Sequence, residues 1–299
     1  MSSTRAPAAR ATAGRYNGRV SAPDFVAIGH VTLDHFGDAL RPGGAALYAA
    51  VTADRLGLSA GILTSHADDF PLELLPPRIE LVTVPAPATT VFEHDQRAGE
   101  RRLRVRTTAR PLGIGDVPED WRDAGLVLLA PVVNEVDGTL AATFDGATVA
   151  AEAQGWLRDV GPDGAVQTRA WASPKGVLSH LQALFLSGTD VRGQEAAMTE
   201  WVQRVPVAAV TAGARGALLY VNGDRYEVRP RRARQVDPTG AGDVFAATWL
   251  VRYHASGDPW DAAEAAACAA SLAVEGEGWS TVPDAAALEA ALAVYRRAV

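Results

Sequence analysis

Short apolar segments alternate with helical or irregular stretches along most of this chain, and this alternation constrains the fold more than any other feature. The segments have the length of β-strands and are bounded by turn residues or glycine. They lie at 24–29, 59–63, 79–84, 126–129, 147–150, 183–186 and 207–211. Residues 45–56 predict a helix that ends at Gly57. Strands alternating with helices favour a parallel, doubly wound sheet covered on both faces, so we predict an α/β protein.

One region departs from the alternation. Residues 89–107 (TTVFEHDQRAGERRLRVRT) predict two strands around a polar turn at 96–99. Together with the strand-like sequence at 30–36, they predict a small antiparallel flap beside the main sheet.

The last quarter of the chain is predicted to be helical. Residues 244–254 are apolar on most sides, as in a buried helix. Asp258 and Pro259 provide an N-cap and a first-turn proline for a helix that extends to about residue 273. A final helix is expected from residue 284.

The composition disfavours several classes of protein. The chain has 299 residues, a net charge of −7 and a single cysteine, Cys268. An acidic chain offers no overall basic surface to nucleic acid or to an anionic membrane, and a single cysteine fits a reducing compartment. We therefore expect a cytoplasmic protein with no nucleic-acid or membrane partner. Residues 1–22, which contain arginines but no acidic residue, are expected to form a disordered tail.

The sequence also lacks the motifs of several common enzyme classes. It contains no His-Glu-x-x-His, no Gly-x-Ser-x-Gly and no Walker phosphate loop. A zinc enzyme, a serine hydrolase and a P-loop enzyme are thereby disfavoured.

The segment DPTGAGDVF, residues 237–245, is the most informative for function. If the following residues are helical, residues 240–243 lie at a helix N-terminus, where unpaired backbone N–H groups favour a phosphate or a developing anion. Asp243 would be repelled by such an anion unless it accepts a proton from a hydroxyl while the amides hold a phosphoryl group. The alternative is a tight turn in which Asp243 only satisfies the free donors at the helix start.

Four motifs, in order, resemble the ribokinase-like (PfkB-type) carbohydrate kinase family. DPTGAGD resembles its C-terminal signature, and VTAGARGA at 210–217 resembles its nucleotide-binding strand and turn. The pair Gly43 and Gly44 resembles its early substrate signature, and Asp34 falls where the family places an aspartate that binds substrate hydroxyls. The resemblance extends over about residues 24–290.

The resemblance implies a three-layer α/β/α sandwich with a mostly parallel central sheet and a small antiparallel β lid. We expect residues 23–299 to form one kinase domain, with a lid mainly from about 30–42 and 86–110. In this family the lid can serve as a homodimer interface. The implied reaction is transfer of the γ-phosphoryl group of ATP, with Mg²⁺, to a hydroxyl of a sugar or polyol.

The resemblance also implies roles for individual residues. Asp243 would be the catalytic base, beside an anion hole formed by the backbone of Gly240, Ala241 and Gly242. Substrate contacts would come from Asp34, Gly43, Gly44, Tyr48 and Arg158. The nucleotide would lie along Thr211, Gly213, Gly216, Thr239, Gly240 and Gly242. Asp190 would bind Mg²⁺. Asp237 and Thr239 would belong to a loop for a monovalent cation such as K⁺, with its other side around residues 275–280.

Two positions depart from the family pattern. Many members have Asn-x-x-Glu where this chain has Ser187-Gly-Thr-Asp190, which keeps a carboxylate suited to Mg²⁺ but loses an amide. Ribose- and fructose-type members place Asn where Tyr48 stands, so a furanose fits less well.

Three further segments resemble the branch that contains inositol kinases: TTVFE at 89–93, PVVNE at 131–135 and AEAQGWLR at 151–158. They favour inositol or a similar polyol as the acceptor. The alternatives are a nucleoside kinase of the same fold, in which Tyr48 or Phe92 could stack on a base, and a non-catalytic sugar or nucleotide sensor. The arginines of the flap are either a solvated strand face or contacts to phosphate or substrate; they are Arg101, Arg102, Arg104 and Arg106.

Overall fold

The computed structural model describes residues 22–97 and 100–298. The predicted tail, except for residue 22, and residues 98 and 99 of the predicted turn lie outside the described residues. So do the side chains at 95–97, 100 and 101.

Strands occur where the apolar segments predicted them, and further strands follow in the flap and near residues 160 and 220. In chain order they are β1 Phe25–Ile28, β2 Thr32–Phe36, β3 Ala39–Gly43, β4 Ala60–His66, β5 Glu80–Pro85, β6 Thr90–Arg97, β7 Glu100–Thr107, β8 Leu126–Leu129, β9 Thr148–Glu152, β10 Arg158–Val160, β11 Val166–Thr168, β12 Ala183–Ser187, β13 Val207–Thr211, β14 Ala217–Val221 and β15 Asp224–Val228.

The helices are α1 Ala45–Arg55, α2 Pro174–Leu178, α3 Glu195–Val202, α4 Ala241–Ser256, α5 Pro259–Ala273 and α6 Ala285–Ala298. The predicted start of α5 is confirmed, because the Asp258 carboxylate accepts hydrogen bonds from the backbone N–H groups of Trp260 and Asp261. Gly257, the residue before Asp258, adopts the left-handed conformation and caps the C-terminus of α4. Across the part of the chain that the structure describes, no helix is long and apolar enough to cross a membrane.

The central sheet is mostly parallel, as predicted for an α/β fold. Within the described residues it contains nine strands in the order β15-β14-β13-β12-β9-β8-β1-β4-β5. The pairings from β13 to β5 are parallel, whereas β14 and β15 add an antiparallel edge. Ligands of such sheets bind outside the carboxyl ends of the parallel strands.

A smaller sheet lies beside the central one. Four strands of the described chain form it in the order β3-β2-β6-β7. The outer pairings are antiparallel, as expected of the flap, but β2 and β6 pair in parallel. Since β2 continues from β1 and β6 continues from β5, and those strands run in the same direction, their continuations also run in the same direction.

The core has two apolar layers, one on each face of the central sheet. Phe25 and Ala27 of β1 face the layer that also contains α1, α4, α5 and α6. Val26 and Ile28 face the opposite layer, which includes α2 and α3. Burial on both faces explains why these strands read as continuous apolar runs rather than as alternating ones.

Candidate active site

A cavity of about 1490 Å³ lies between the small sheet and the carboxyl ends of the central strands. Most of the residues predicted for the site line it. They are Asp34, Gly44, Tyr48, Arg158, Asp190, Thr211, Gly213, Gly216, Thr239, Gly240, Ala241, Gly242 and Asp243. Gly43 lies behind the wall against Asp34, and Asp237 lies behind Thr239.

The turn before α4 allows close approach of backbone to a ligand. Gly240 precedes the helix with φ of 81°, in the left-handed region that favours glycine. A Cβ there would lie 2.2 Å from Cδ1 of Tyr48, so no side chain fits. The first N–H groups of a helix have no carbonyl four residues earlier within it, and glycine has no side chain to cap them. The Ala241 N–H donates to the Pro238 carbonyl at 3.3 Å, whereas the N–H groups of Gly242 and Asp243, which follow it, have no partner of this kind within the helix.

A chain of hydrogen bonds holds Asp243. Nε2 of Gln154 donates to Oδ1 of Asp243 at 3.2 Å. The guanidinium of Arg158 donates to Oε1 of Gln154 at 2.9 Å and to the Val132 carbonyl at 3.0 Å. The segment AEAQGWLR thus positions the proposed base and presents Arg158 to the cavity.

Glu135 fixes the loop that receives Arg158. Its buried carboxylate accepts hydrogen bonds from the backbone N–H groups of His30, Val132 and Val133, at 2.7–3.1 Å. Glu135 in PVVNE therefore has a structural role, because its carboxylate binds backbone N–H groups two and three residues earlier and so holds the loop in shape.

Sequence reasoning assigned no role to Glu152, the last residue of β9, although this residue lies in the AEAQGWLR segment. It is 4% exposed, and its Oε2 has no hydrogen-bond partner among the described residues. Its carboxyl group lies against that of Asp243, and burial and the neighbouring carboxylate raise its pKa well above the ordinary value. Two signals in the sequence pointed to Glu152: an acid at the end of the apolar run TVAAE, and its place in AEAQGWLR.

The pKa of Asp243 is raised to about 6, because burial disfavours its charge. Hydrogen bonds from Glu152 and Gln154 and the charge of Arg158 oppose this rise. Both pKa shifts agree with a protonated Glu152 carboxyl group that donates a hydrogen bond to an ionised Asp243 carboxylate. Asp243 can then accept a proton near neutral pH.

The small sheet provides a polar cluster at one end of the cavity. Oγ1 of Thr32 donates to Oδ1 of Asp34 at 2.9 Å, and Nε2 of His94 lies 3.6 Å from Oδ2 of Asp34. The His94 ring stacks on Phe36 with centroids 4.3 Å apart. Sequence reasoning weighed the histidines only as zinc ligands, and it therefore missed His94.

Gly43 and Gly44 let α1 begin directly beside this cluster. A Cβ on Gly43 would lie 2.4 Å from Oδ2 of Asp34. Gly44 has φ of 102°, and a Cβ there would lie 2.3 Å from the His30 carbonyl oxygen. One turn later, Tyr48 is buried between Asp34 and the turn at Gly240, with its ring edge toward Trp279. Burial raises the pKa of Tyr48, and nearby carboxylates add to the rise, so its hydroxyl stays protonated.

The cavity continues past the turn at residues 240–243. Thr211 and Gly213 follow β13, and Gly216 has φ of 88° in the turn to β14. On the opposite side, one face of α5 and the residue after it present small side chains to the cavity. These residues are Ala267, Ala270, Ser271 and Val274.

Two of the flap arginines reach the cavity. Arg102 and Arg104 line it, and Arg104 also donates to the Asp163 carbonyl. Arg106 instead pairs with Glu93 at the surface. The side chain of Arg101 lies outside the described residues. The position of Arg106 fits the solvated strand face, and the positions of Arg102 and Arg104 fit contacts to a ligand.

The residues present fit Mg²⁺ but fit K⁺ poorly. The described residues contain no cluster of three or more His, Cys, Asp or Glu side chains placed to hold a metal. Mg²⁺ commonly takes one or two carboxylates and completes its shell with water and phosphate, and Asp190 in the cavity wall suits that arrangement. At Asp237, where K⁺ was expected, the guanidinium of Arg41 lies 3.5 Å from the carboxylate.

Comparison with known proteins agrees with this geometry. Residues 179–285 match the pfkB family of carbohydrate kinases. A cytidine kinase of Thermococcus kodakarensis is 27% identical over 248 residues, which cover 77% of this chain and 88% of that kinase. An inositol 3-kinase of Arabidopsis thaliana is 28% identical over 222 residues, which cover 70% of this chain and 60% of that kinase.

Solved structures share the fold. A pyrophosphate-dependent myo-inositol-1 kinase converted into a myo-inositol-3 kinase has a TM-score of 0.74 at 20% identity, covering 91% of this chain and 99% of that chain. The ribokinase of Arabidopsis thaliana, complexed with ribose and ATP, has a TM-score of 0.69 at 18% identity, covering 91% of this chain and 99% of that chain.

The family match over residues 179–285 and the fold shared with kinases of the ribokinase type agree with each other. Over residues 179–285 the chain is similar to pfkB-family carbohydrate kinases, and over most of its length it shares the fold of a ribokinase. The resemblance inferred from its motifs is thereby confirmed.

Proposed function

We propose that this chain transfers the γ-phosphoryl group of ATP to a hydroxyl of a sugar or polyol, with an inositol-like cyclic polyol favoured. The observation that carries the proposal is the position of Asp243. It lies at the N-terminus of α4, between the polar acceptor cluster and the donor end of the cavity, and it is hydrogen-bonded to Gln154.

Each part of the reaction has a residue suited to it. The ATP phosphates would lie on the turn at residues 240–242, where helix N–H groups stabilise charge. The attacking hydroxyl would give its proton to Asp243 as its oxygen bonds to the γ-phosphorus and the bond to ADP breaks. When bound, Mg²⁺ would neutralise charge on the phosphates, with Asp190 as its protein ligand.

The acceptor end favours a molecule with many hydroxyls. Asp34, His94 and Arg158 surround it with donors and acceptors, and Tyr48 occupies the position at which furanose kinases carry Asn. A cyclic polyol can engage these groups around its whole ring. The TTVFE, PVVNE and AEAQGWLR segments and the inositol 3-kinase relative support the same acceptor.

A nucleoside is the second candidate, and one observation favours it. Phe92, Leu103 and Val166 form an apolar part of the cavity wall, which could cover a base. The cytidine kinase relative supports this alternative.

The decisive experiment measures ADP release from MgATP with myo-inositol, ribose, cytidine and adenosine as acceptors, and phosphate release with pyrophosphate as the donor. We expect turnover with myo-inositol above that with ribose or the nucleosides. Asp243→Asn should lower kcat by about 10²–10⁴-fold, the usual contribution of a general base. Its ADP affinity, measured by calorimetry, should be retained.

Asp145→Asn is the matched control, since Asp145 is exposed in a loop and does not line the cavity. It should behave as the wild type. Faster turnover with cytidine or adenosine than with inositol would replace the polyol by a nucleoside. ADP binding with no turnover on any acceptor would favour the sensor, and an active Asp243→Asn would refute the assignment of the base.

A further inference from the structure

An arginine from the small sheet lies where the family resemblance implied a monovalent cation. Arg41 is on β3, 196 positions before Asp237 in the sequence. Its Nη1 lies 3.5 Å from Oδ2 of Asp237, and its Nη2 lies 2.8 Å from Oε2 of Glu277. One guanidinium thus joins carboxylates from both sides of the expected cation loop.

Protein donors also occupy the Asp237 carboxylate. Its Oδ1 accepts from the backbone N–H of Thr239 at 2.9 Å, and its Oδ2 is 3.5 Å from the N–H of Gly278. The two sides of the loop are joined directly, because the N–H groups of Val236 and Asp237 donate to the Val274 carbonyl. An oxygen that binds K⁺ must direct its lone pairs at the ion. The lone pairs of the Asp237 carboxylate are instead directed at backbone N–H groups.

Arg41 is positioned by its own sheet. It pairs in register with Asp34 on β2, and its guanidinium carbon lies 5.1 Å from the centroid of the Phe36 ring. An aromatic face favours a cation at this distance. The planar fork of arginine can bond two carboxylates at once, which a lysine ammonium does less well.

We propose that Arg41 supplies the positive charge of this loop, so that the anion hole needs no monovalent cation. A K⁺ ion beside Asp237 would meet the like charge of the guanidinium at close range, which disfavours its binding. Because residues 237–240 lead directly into the anion hole, Arg41 also connects the acceptor-side sheet to the donor site. The kinetic part of this inference rests on the proposed function; the binding part does not.

The test compares KCl with tetramethylammonium chloride at equal ionic strength. Thermal unfolding and ADP affinity by calorimetry are measured for the wild type, Arg41→Ala, Arg41→Lys and Glu277→Gln. The wild type should show the same Tm and ADP affinity in both salts. Arg41→Ala should bind ADP more weakly in tetramethylammonium and recover Tm and affinity in K⁺, saturably.

The two other variants are matched controls. Glu277→Gln removes the exposed partner but keeps Arg41 beside Asp237, so it should remain insensitive to K⁺. Arg41→Lys keeps the charge and should need K⁺ less than Arg41→Ala. If Arg41→Ala does not fold, Arg41→Gln, which keeps most of the length of the side chain, replaces it.

Two outcomes would overturn the proposal: saturable stabilisation or tighter ADP binding by K⁺ in the wild type, or an Arg41→Ala variant that matches the wild type in both salts. These readouts need no turnover. Absence of turnover with every acceptor would therefore count against the proposed kinase activity and leave the conclusion on Arg41 intact.

Discussion

At the scale of single residues, the chemistry of the site depends on two adjacent carboxyl groups with different partners. Asp243 receives hydrogen bonds from Gln154 and Glu152, whereas Glu152 has a buried oxygen without a partner. Burial therefore raises both pKa values, and the donors keep that of Asp243 at about 6. Two interacting carboxyl groups titrate as a pair, so any measured value belongs to both.

The pH dependence of kcat/KM should reveal this pair. A base must be ionised, so activity should fall as pH drops through about 6, the pKa to which Asp243 is raised. Glu152→Ala removes a donor that lowers the pKa of Asp243, so the acidic limb should move to higher pH. Glu152→Gln keeps an N–H donor and should leave the limb in place. The measurement is the initial rate at saturating MgATP between about pH 5 and 9, a range that includes the acidic limb.

Identical acidic limbs in the wild type and both variants would show that Glu152 does not act on Asp243. A limb near the ordinary pKa of aspartate would show that burial does not control the base. The Gln variant distinguishes a positioning role from mere loss of packing, since it retains the shape of the side chain.

At the scale of elements, the turn into α4 combines a backbone requirement with a packing requirement. Gly240 adopts the left-handed conformation and lies against Tyr48 of α1. Gly242, two residues later, is in the helix and has open space where a Cβ would be. The two glycines should therefore respond differently to the same substitution.

Gly240→Ala should lower the free energy of unfolding by about 1–2 kcal/mol from the left-handed backbone alone, with a further loss from the clash with Tyr48. It should also reduce kcat, since the turn proposed to hold the phosphates and the Tyr48 side chain would shift. Gly242→Ala should be neutral or stabilising by up to about 1 kcal/mol, because alanine favours a helix over glycine. Urea unfolding of both variants measures the difference. Equal destabilisation by the two changes would contradict the tight contact between Gly240 and Tyr48.

At the scale of the whole molecule, the small sheet and the central sheet are joined around the site they enclose. Buried His30, between β1 and β2, has Nδ1 2.7 Å from Oγ1 of Thr90 and Nε2 2.9 Å from the Arg110 carbonyl. The small sheet is also tied to the two-stranded sheet that β10 and β11 form, because the N–H of Val105 on β7 donates to the Gly164 carbonyl, just before β11, at 2.8 Å. The cavity is therefore built between two tied sheets, and it buries carboxylates at a cost to stability.

That cost should appear in the pH dependence of global stability. The pKa of Asp243 is raised from 3.8 to about 6 in the folded state. The stability that this group contributes to the fold is therefore fully present below about pH 3.8 and is lost as pH rises through 6. The loss is on the order of 1–3 kcal/mol. Asn cannot ionise, so Asp243→Asn should have a higher Tm than the wild type at pH 8 and a similar Tm near pH 4.

Thermal unfolding of the two proteins at both pH values gives the answer. Asp145→Asn, at an exposed position, should leave Tm unchanged at either pH. A lower Tm for Asp243→Asn at pH 8 would mean that the ionised carboxylate stabilises the fold, contrary to the proposed burial cost.

The sequence by itself determined the elements and the central motif. Strand lengths, the N-cap at Asp258 and the turn glycines are local features, because apolar periodicity and backbone conformation act over a few residues. The TGAGD segment predicted a helix N-terminus with a carboxylate for the same reason.

Only the tertiary structure decided which side chains meet in the cavity. Glu152 lies against Asp243, His94 beside Asp34, and Arg41 beside Asp237, and each of these pairs is far apart in the sequence. Their meeting depends on strand order and on the parallel pairing of β2 with β6, which no local pattern encodes. Local composition thus predicted what the elements are, whereas the path of the chain decided which charges they bring together.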